Sequence, residues 1–463
     1  MPLPHPERSL LSAVSAALAS FARWLEDYGE TSWDHQSYYA GGYGGWAKSL
    51  YYRNKPLGTL AVAPMIFSEA FLPAGRRLFH KRIRFPIADA HYAMGYAFLH
   101  RASGERRHLV RAVHFLEELK KSRCPGFQEY CWGYPFDWVT RNGVMKQDTP
   151  LITSTPYMYE AFLQVHQLIS ITPSDGDRAG ARGDGMLPDP EKLKEVLASI
   201  IRHACTDIKD FPTSERASSC SYNPYDKGGV VNASAYRAGM LTSASRVFGN
   251  DEYWRIAERN LWFVLEAQNS DGSWPYAKDG VRDFVDHFHT CFVMKALAKI
   301  HTLTGHKPTL AALERGVNYY LANLFAEDGL PRPFAVAPRL TVYKCELYDC
   351  AECINLCLLL RDRFPALGEK LEVVVAGILR DWIKPDGSFR SRKLLLGWDN
   401  VPMHRWAQSQ MFRALAFYLS ETKRTEDGRR RAEGGEPNAK HGDGEYGKQY
   451  IEFQATAGLS VGV

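Results

Sequence analysis

Three stretches in the second half of the chain share one layout, and their spacing constrains the fold more than any other feature. Gln268-Asn269-Ser270-Asp271-Gly272-Ser273-Trp274, Glu327-Asp328-Gly329-Leu330-Pro331 and Pro385-Asp386-Gly387-Ser388-Phe389 each follow an amphipathic run and interrupt it with Asp-Gly. From Asp271 to Asp328 is 57 residues, and from Asp328 to Asp386 is 58. A fixed period of this size marks one supersecondary unit used repeatedly. The unit reads as a helical hairpin: an outer helix, a polar Asp-Gly turn carrying an aromatic, then an inner helix. Such hairpins place one set of loops on a common rim, where a binding site can form.

Helical periodicity rich in Ala and Leu recurs at about 8–28, 87–101, 106–121, 152–170, 190–206, 232–248, 251–267, 287–303, 309–324, 349–361, 369–382 and 404–420. Asn250-Asp251 and Pro308-Thr309 supply helix starts, and Gly249, Gly305 and Gly368 separate partners. Alternating patterns are scarce; Leu340 to Tyr343 and Lys393 to Leu396 are the best strand candidates. About twelve helices in six sequential hairpins predict an all-α fold, an (α/α)6 toroid, because closure buries the inner helices on every side. We expect one toroid domain over 1–421. Within it, the aromatic segment 30–86, poor in helix signals and opened by Gly41 to Gly45, reads as a rim or lid. A Gly- and Asp-rich insertion at Pro173 to Pro190 reads as a surface loop, and 422–463 as a charged, Gly-rich flexible tail.

Lys and Arg number 57 against 52 Asp and Glu, an excess of five positive charges spread along the chain. So mild a balance, with no nucleic-acid module, predicts no nucleic-acid partner. No stretch approaches the roughly 18 apolar residues of a membrane helix. Met1 to Arg23 lacks the basic start of a signal peptide and reads as a first amphipathic helix. Nine cysteines, an odd number without a secreted framework, point to a reducing cytoplasm.

Aromatic residues form 13% of the chain, many beside Gly, Pro and Asp in the loops before inner helices. Side chains of that kind suit stacking on sugar rings. The loop candidates are Trp132, Tyr134, Asp137 and Trp138, then Tyr222, Tyr225 and Asp226, then Trp274 and Tyr276, then Trp398; Asn232 and Tyr236 open the inner helix after the second group. The densest cluster is Asp286, His287 and His289, where Asp286 suits an N-cap or a proton-transfer role. A histidine there has its charged form disfavoured by the helix dipole, as a neutral base requires. His404-Arg405 is the parallel pair further on, with Arg405 suited to a carboxylate or phosphate. Asp34-His35 and Asp89-His91 are two more such pairs.

Cys345, Cys350, Cys353 and Cys357 have the spacing C-x4-C-x2-C-x3-C. The first three match a plant-type iron–sulfur spacing, yet Asp349 to Leu360 reads as a helix without the glycines of a cluster loop. On one helical face these thiols pack as small apolar groups. No Walker loop, dinucleotide fingerprint or Gly-x-Ser-x-Gly elbow occurs, and we expect neither cofactor nor metal.

Gln268 to Trp274 resembles the Gln-Trp repeat of terpene cyclases, but it occurs once in full and the acidic Asp-x-Asp-Asp motif is absent. The wider pattern resembles carbohydrate-active (α/α)6 toroids: N-acylglucosamine 2-epimerases, unsaturated glucuronyl hydrolases, heparinase-like lyases and glucuronyl C5-epimerases. Asp34 to Ser37, Asn232 to Ala235, Asp286 to Phe292 and His404 to Trp406 are similar to a group of toroid proteins encoded with bacterial surface-polysaccharide enzymes. The resemblance implies a glycan or sugar substrate. The expected function is lyase or epimerase chemistry on a uronate-containing glycan, with His287 or His289 and Tyr225 or Tyr236 exchanging a proton and Arg405 holding the carboxylate. Hydrolysis would use two carboxylates from Asp137, Asp226 and Asp286. A terpenoid cyclase or transferase and a non-catalytic glycan-binding protein are the remaining alternatives.

Overall fold

The computed structural model describes residues 6–40, 42–141, 143–171, 187–338 and 341–433. Six helices form an inner ring: α5 (Pro86–Ser103), α7 (Thr155–Ser170), α9 (Val231–Phe248), α11 (His287–Thr304), α13 (Leu347–Leu360) and α15 (Ser409–Glu433). Each is followed by an outer helix: α6 (Arg106–Lys121), α8 (Pro190–Thr206), α10 (Asp251–Glu266), α12 (Lys307–Asn323) and α14 (Pro365–Asp381). The sixth outer position is filled from the start of the chain by α1 (Pro6–Tyr28), which packs on α14 and α15. The expected (α/α)6 toroid is therefore the fold, and all twelve expected helices form.

The Asp-Gly stretches are three copies of one turn. Gly272, Gly329 and Gly387 have φ of 93°, 79° and 89°, a region that favours glycine. Asp271, Asp328 and Asp386 each accept a hydrogen bond from the backbone N–H two residues on, at 2.9, 3.1 and 3.0 Å. The expected aromatic after the turn is present and buried in two copies, Trp274 and Phe389; in the middle copy the buried side chain is Leu330, which fills the same place. Trp274 lies against Gly316 of α12, where a Cβ would come within 2.5 Å of the indole.

Short antiparallel strands decorate the rim between outer and inner helices. These are β1 (Trp138–Thr140) with β2 (Gly143–Met145), β3 (Asp210–Pro212) with β4 (Ser218–Cys220), β5 (Val285–Asp286) with β6 (Phe334–Val336), and β7 (Tyr343–Glu346), β8 (Arg392–Leu394) and β9 (Trp398–Asp399) as a three-stranded sheet. The expected strand at Lys393 appears as β8, paired Tyr343 to Leu394; Leu340 lies outside the described residues.

Two regions differ from expectation. The aromatic segment after Trp33 is largely helical, with α2 (Gly42–Arg53), α3 (Lys55–Phe71) and α4 (Arg76–Phe79). Asn54 caps α3 through Leu57 N, with Pro56 in its first turn. Its buried stripe is Gly58, Val62, Met65 and Glu69, while the opposite stripe is also apolar, so no amphipathic period shows. The hairpin is fastened by a buried quartet. Arg76 bonds Glu69 (2.9 Å) and Asp399, and Arg392 bonds Asp399 (3.0 Å) and Glu69 (2.5 Å). The charged stretch after residue 421 begins as helix, since α15 runs to Glu433; 434–463, and most of the expected loop at 173–190, lie outside the described residues. No described helix is long and apolar enough to cross a membrane.

The ring closes where α5 meets α15. A Cβ on Gly95 would stand 2.6 Å from the ring of Phe412 and 3.3 Å from Arg413 Cα. Gly95→Ala therefore overpacks the seam and should lower stability by about 1–3 kcal/mol despite the better helix propensity of Ala. Urea unfolding measures this, and an unchanged midpoint would show that the seam is loose.

Candidate active site

The inner helices all begin at one end of the toroid, and the side chains of their first turns converge there. Asp286 ends β5 and caps α11: its Oδ1 accepts from His289 N at 3.1 Å and its Oδ2 lies 2.6 Å from His289 Nδ1. The pairing directs Nδ1–H to Asp286 and turns Nε2 away from it, and Nε2 makes no hydrogen bond among the described residues. Asp286 is buried, whereas the His289 side chain is 21% exposed, so the pair has a fixed base and an open face. Tyr276 stands edge-on to the imidazole, with ring centroids 4.7 Å apart, and Phe288 and Phe292 complete its surroundings at 4.2 and 5.5 Å.

A π-helical turn, His404–Gln408, precedes α15 and builds the facing wall. Trp406 sits 4.7 Å from Tyr348, 5.8 Å from Phe288 and 5.3 Å from His35. Arg405 makes two bonds to Asp34, at 2.9 and 2.7 Å, and lies under Tyr134 (4.9 Å) and Trp406 (4.6 Å). Burial opposes ionisation of Asp34, but the Arg405 charge outweighs it and holds the carboxyl at about 2. Tyr134, Phe136 and Trp138 stack in series beside this pair.

Beneath the aromatic wall lies an ionic floor to which every inner helix contributes. The Tyr157 hydroxyl bonds that of Tyr236 (2.5 Å) and Glu352 (3.3 Å), and Lys295 is paired with Glu352. Arg413 reaches His91 (3.4 Å) and Glu160 (3.7 Å), and its Nε has no protein partner. His289, Phe292 and Lys295 descend one face of α11, joining mouth to floor. Burial keeps the Tyr157 and Tyr236 hydroxyls protonated far above their usual range and holds the His91 imidazole neutral.

Some of the buried polar atoms without a protein partner lie at the same end. Asn232 Oδ1, both Asp349 oxygens, Trp406 Nε1 and Gln410 Oε1 are buried without a hydrogen bond in the protein. All sit where an inner helix begins, and polar atoms so placed are available to a ligand entering that end. Burial pushes the Asp349 carboxyl well up, helped by Glu346, Cys345 and Asp286, so it is held as the neutral acid.

Of the residues singled out from sequence, the structure brings Asp286, His289, Tyr236, Arg405, Tyr134, Trp138, Tyr276 and Asn232 to this end of the ring. It places others elsewhere. His287 faces α12, with Nε2 on Tyr320 (2.8 Å) and Nδ1 on Leu324 O (3.1 Å), so both nitrogens are occupied. His404 is buried between Tyr92 (2.5 Å) and Gly29 O (3.0 Å). Tyr225 is 76% exposed on a loop whose backbone N–H groups bond Asp226. Tyr222, half-buried, packs against the core beside that loop. Trp132 and Trp274 are core side chains whose indoles donate to Leu119 O and Val264 O in the last turns of α6 and α10. Trp398 packs on Trp382, and Asp137 pairs with Lys146 at the surface. Lys295, Glu352, Arg413 and Tyr157 carry no signal in the sequence, because each sits at an ordinary helix position in an apolar run.

The nine cysteines are free. Cys345 and Cys350 sulfurs are 3.6 Å apart, and those of Cys353 and Cys357 3.9 Å. Among the described residues no three His, Cys, Asp or Glu side chains are grouped to hold a metal ion.

No family model and no curated protein sequence matches this chain. Solved structures do match it. The cellobiose 2-epimerase of Bacillus thermoamylovorans is 10% identical, with 73% of this chain and 88% of that one covered at a TM-score of 0.54. The unsaturated glucuronyl hydrolase of Bacillus sp. GL1 is 14% identical, with 90% and 96% covered at 0.52. A polysaccharide lyase is 10% identical, with 78% and 96% covered at 0.50. At these identities the likeness is one of fold.

His404 makes stability depend on pH. Burial holds its imidazole at about 4 in the folded chain, against 6.5 for an ordinary histidine. The unfolded chain takes up the proton first, so this stabilisation is whole above about 6.5 and is lost as pH falls towards 4, on the order of 3 kcal/mol in all. His35 and His91, also held down by burial, act in the same direction. Urea unfolding at several pH values should show the decline, and His404→Asn should make it shallower. A flat profile from neutral to pH 4.5 would contradict the assignment.

Proposed function

We propose that this chain is a carbohydrate-active enzyme that removes the proton beside the carboxylate of a uronate sugar, acting as an epimerase or lyase. The carrying observation is the Asp286–His289 pair, whose oriented imidazole keeps one nitrogen open at an aromatic-walled mouth. His289 takes the C5 proton through its open Nε2, and the C–H electrons pass into an enolate. Return of a proton to the opposite face inverts C5; departure of the O4 substituent instead leaves a C4–C5 double bond. Tyr236 and Asp349, both held protonated, are the donors, and Tyr236 is the candidate tyrosine at the ring. Arg413 is the cation for the sugar carboxylate: its Nε has no protein partner and Glu160 lies a distant 3.7 Å from the guanidinium, whereas Arg405 is committed to Asp34 by two short bonds. Tyr276, Tyr348 and Trp406 provide stacking surfaces.

Support comes from the structural neighbours, which include a cellobiose 2-epimerase and a polysaccharide lyase. The resemblance of Asp34 to Ser37 and Asp286 to Phe292 points to surface-polysaccharide glycans as the substrate class. The charged floor weighs against a terpenoid cavity. Hydrolysis is the second reading, with Asp349 as the acid and Asp286 as the other carboxylate.

The test is incubation of uronate-containing oligosaccharides with the protein in deuterated water, followed by NMR and by absorbance of an unsaturated product. Deuterium at C5 or a new double bond is expected. His289→Ala and Asp286→Asn should lower kcat by about 100-fold or more without moving the melting temperature, while Tyr225→Phe stays near normal. Release of reducing ends with no deuterium would favour hydrolysis, and full activity in His289→Ala would remove this pair from the chemistry.

A further inference from the structure

Ten of the seventeen exposed large apolar side chains among the described residues lie between Tyr43 and Leu78, on the α2–α3–α4 segment. On α3, Leu57, Leu60, Phe67 and Phe71 form one stripe opposite the stripe that packs inward; they are 56%, 73%, 56% and 47% exposed. Trp46 (57%) on α2 and Leu78 (83%) on α4 extend this surface. It is a helical face held to β8 and β9 by the buried Glu69–Arg76–Asp399–Arg392 quartet. Apolar surface on this scale marks an interaction site.

The charges around it say what the site meets. Arg53, Lys55, Arg77 and Lys81 are exposed on the same segment. Between residues 42 and 82 the sole acidic residue is Glu69, which is buried in the quartet. An exposed stripe of Leu and Phe, with Tyr43 bonded to Ala61 O of α3, Trp46 against Tyr43, and cations but no exposed carboxyls on the same segment, has the chemistry of a helix lying in a lipid interface. We infer that this hairpin docks the protein onto an anionic phospholipid surface, with the apolar stripe in the acyl boundary and the four cations among the headgroups. The inference does not depend on the reaction proposed above.

Flotation of the full chain with vesicles tests it. Binding should be about tenfold or more tighter on phosphatidylcholine mixed with phosphatidylglycerol than on phosphatidylcholine alone, and should weaken as salt rises. Leu60→Asp with Phe67→Asp should abolish binding, and Arg53→Glu with Lys55→Glu should weaken it by about tenfold. All four sites are exposed, so melting temperatures should hold. Vesicles should also shift tryptophan emission to the blue, and Trp46→Phe should remove much of that shift. Absence of binding, or equal binding to neutral vesicles, would overturn the inference. So would a dimer in lipid-free solution that Leu60→Asp converts to monomer, which would assign this face to a second copy of the chain.

Discussion

Closure of the inner ring is the constraint on which the rest of the structure depends. Six helices surround a common axis only if the last packs on the first, and this requires α15 to approach α5 closely. Gly95 permits that approach by leaving room for Phe412. Once the ring is shut, the inner faces are removed from water on all sides, and polar groups on them must find partners or serve a ligand. The floor shows both outcomes: Lys295 is compensated by Glu352, while Arg413 keeps an unpartnered nitrogen.

The outer helices were legible from a strong apolar period, and several inner ones, buried nearly all round, from apolar runs stopped by Gly104, Gly249 and Gly305. The Asp-Gly turns were legible because the turn geometry demands those residues at those positions. The hairpin α3 was not, since Leu60 and Phe67 on its outer face cancel the contrast that Val62 and Met65 create on its inner face. The same limit applied to the site. Asp286 and His289 could be found because capping chemistry and histidine chemistry coincide at one helix start. Lys295 and Glu352 could not, because their pairing links α11 to α13 and is set by ring geometry. Trp132 and Trp274 show the converse: loop position suggested sugar stacking, while their indoles finish the outer helices.

Two arginine–carboxylate assemblies hold the rim in register. Asp34 and Arg405 join the segment before α2 to the turn before α15, and the Glu69–Arg76–Asp399–Arg392 quartet joins α3 and α4 to the sheet. Each is buried and close to neutral overall, so removing one partner leaves an uncompensated charge in an apolar setting. The aromatic wall of the mouth is built on these supports: Arg405 lies beneath Tyr134 and Trp406, and α2 lies beside β1, with Lys48 over Trp138.

The three Asp-Gly turns carry a consequence for how such a ring can diversify. Each turn closes its own hydrogen bonds through its aspartate and its backbone, and buries one apolar side chain against the next outer helix: Trp274 at Gly316 of α12, Leu330 at Gly377 of α14 and Phe389 on Phe21 of α1. Apart from the ion-pairing residues Arg392, Asp399 and Arg405, the residues between a turn and the next inner helix are thereby relieved of much architectural duty. They can lengthen, form a small sheet or exchange side chains without disturbing the helices on either side. The scaffold thus separates inheritance of shape from variation of chemistry, and new substrates can be explored one rim loop at a time.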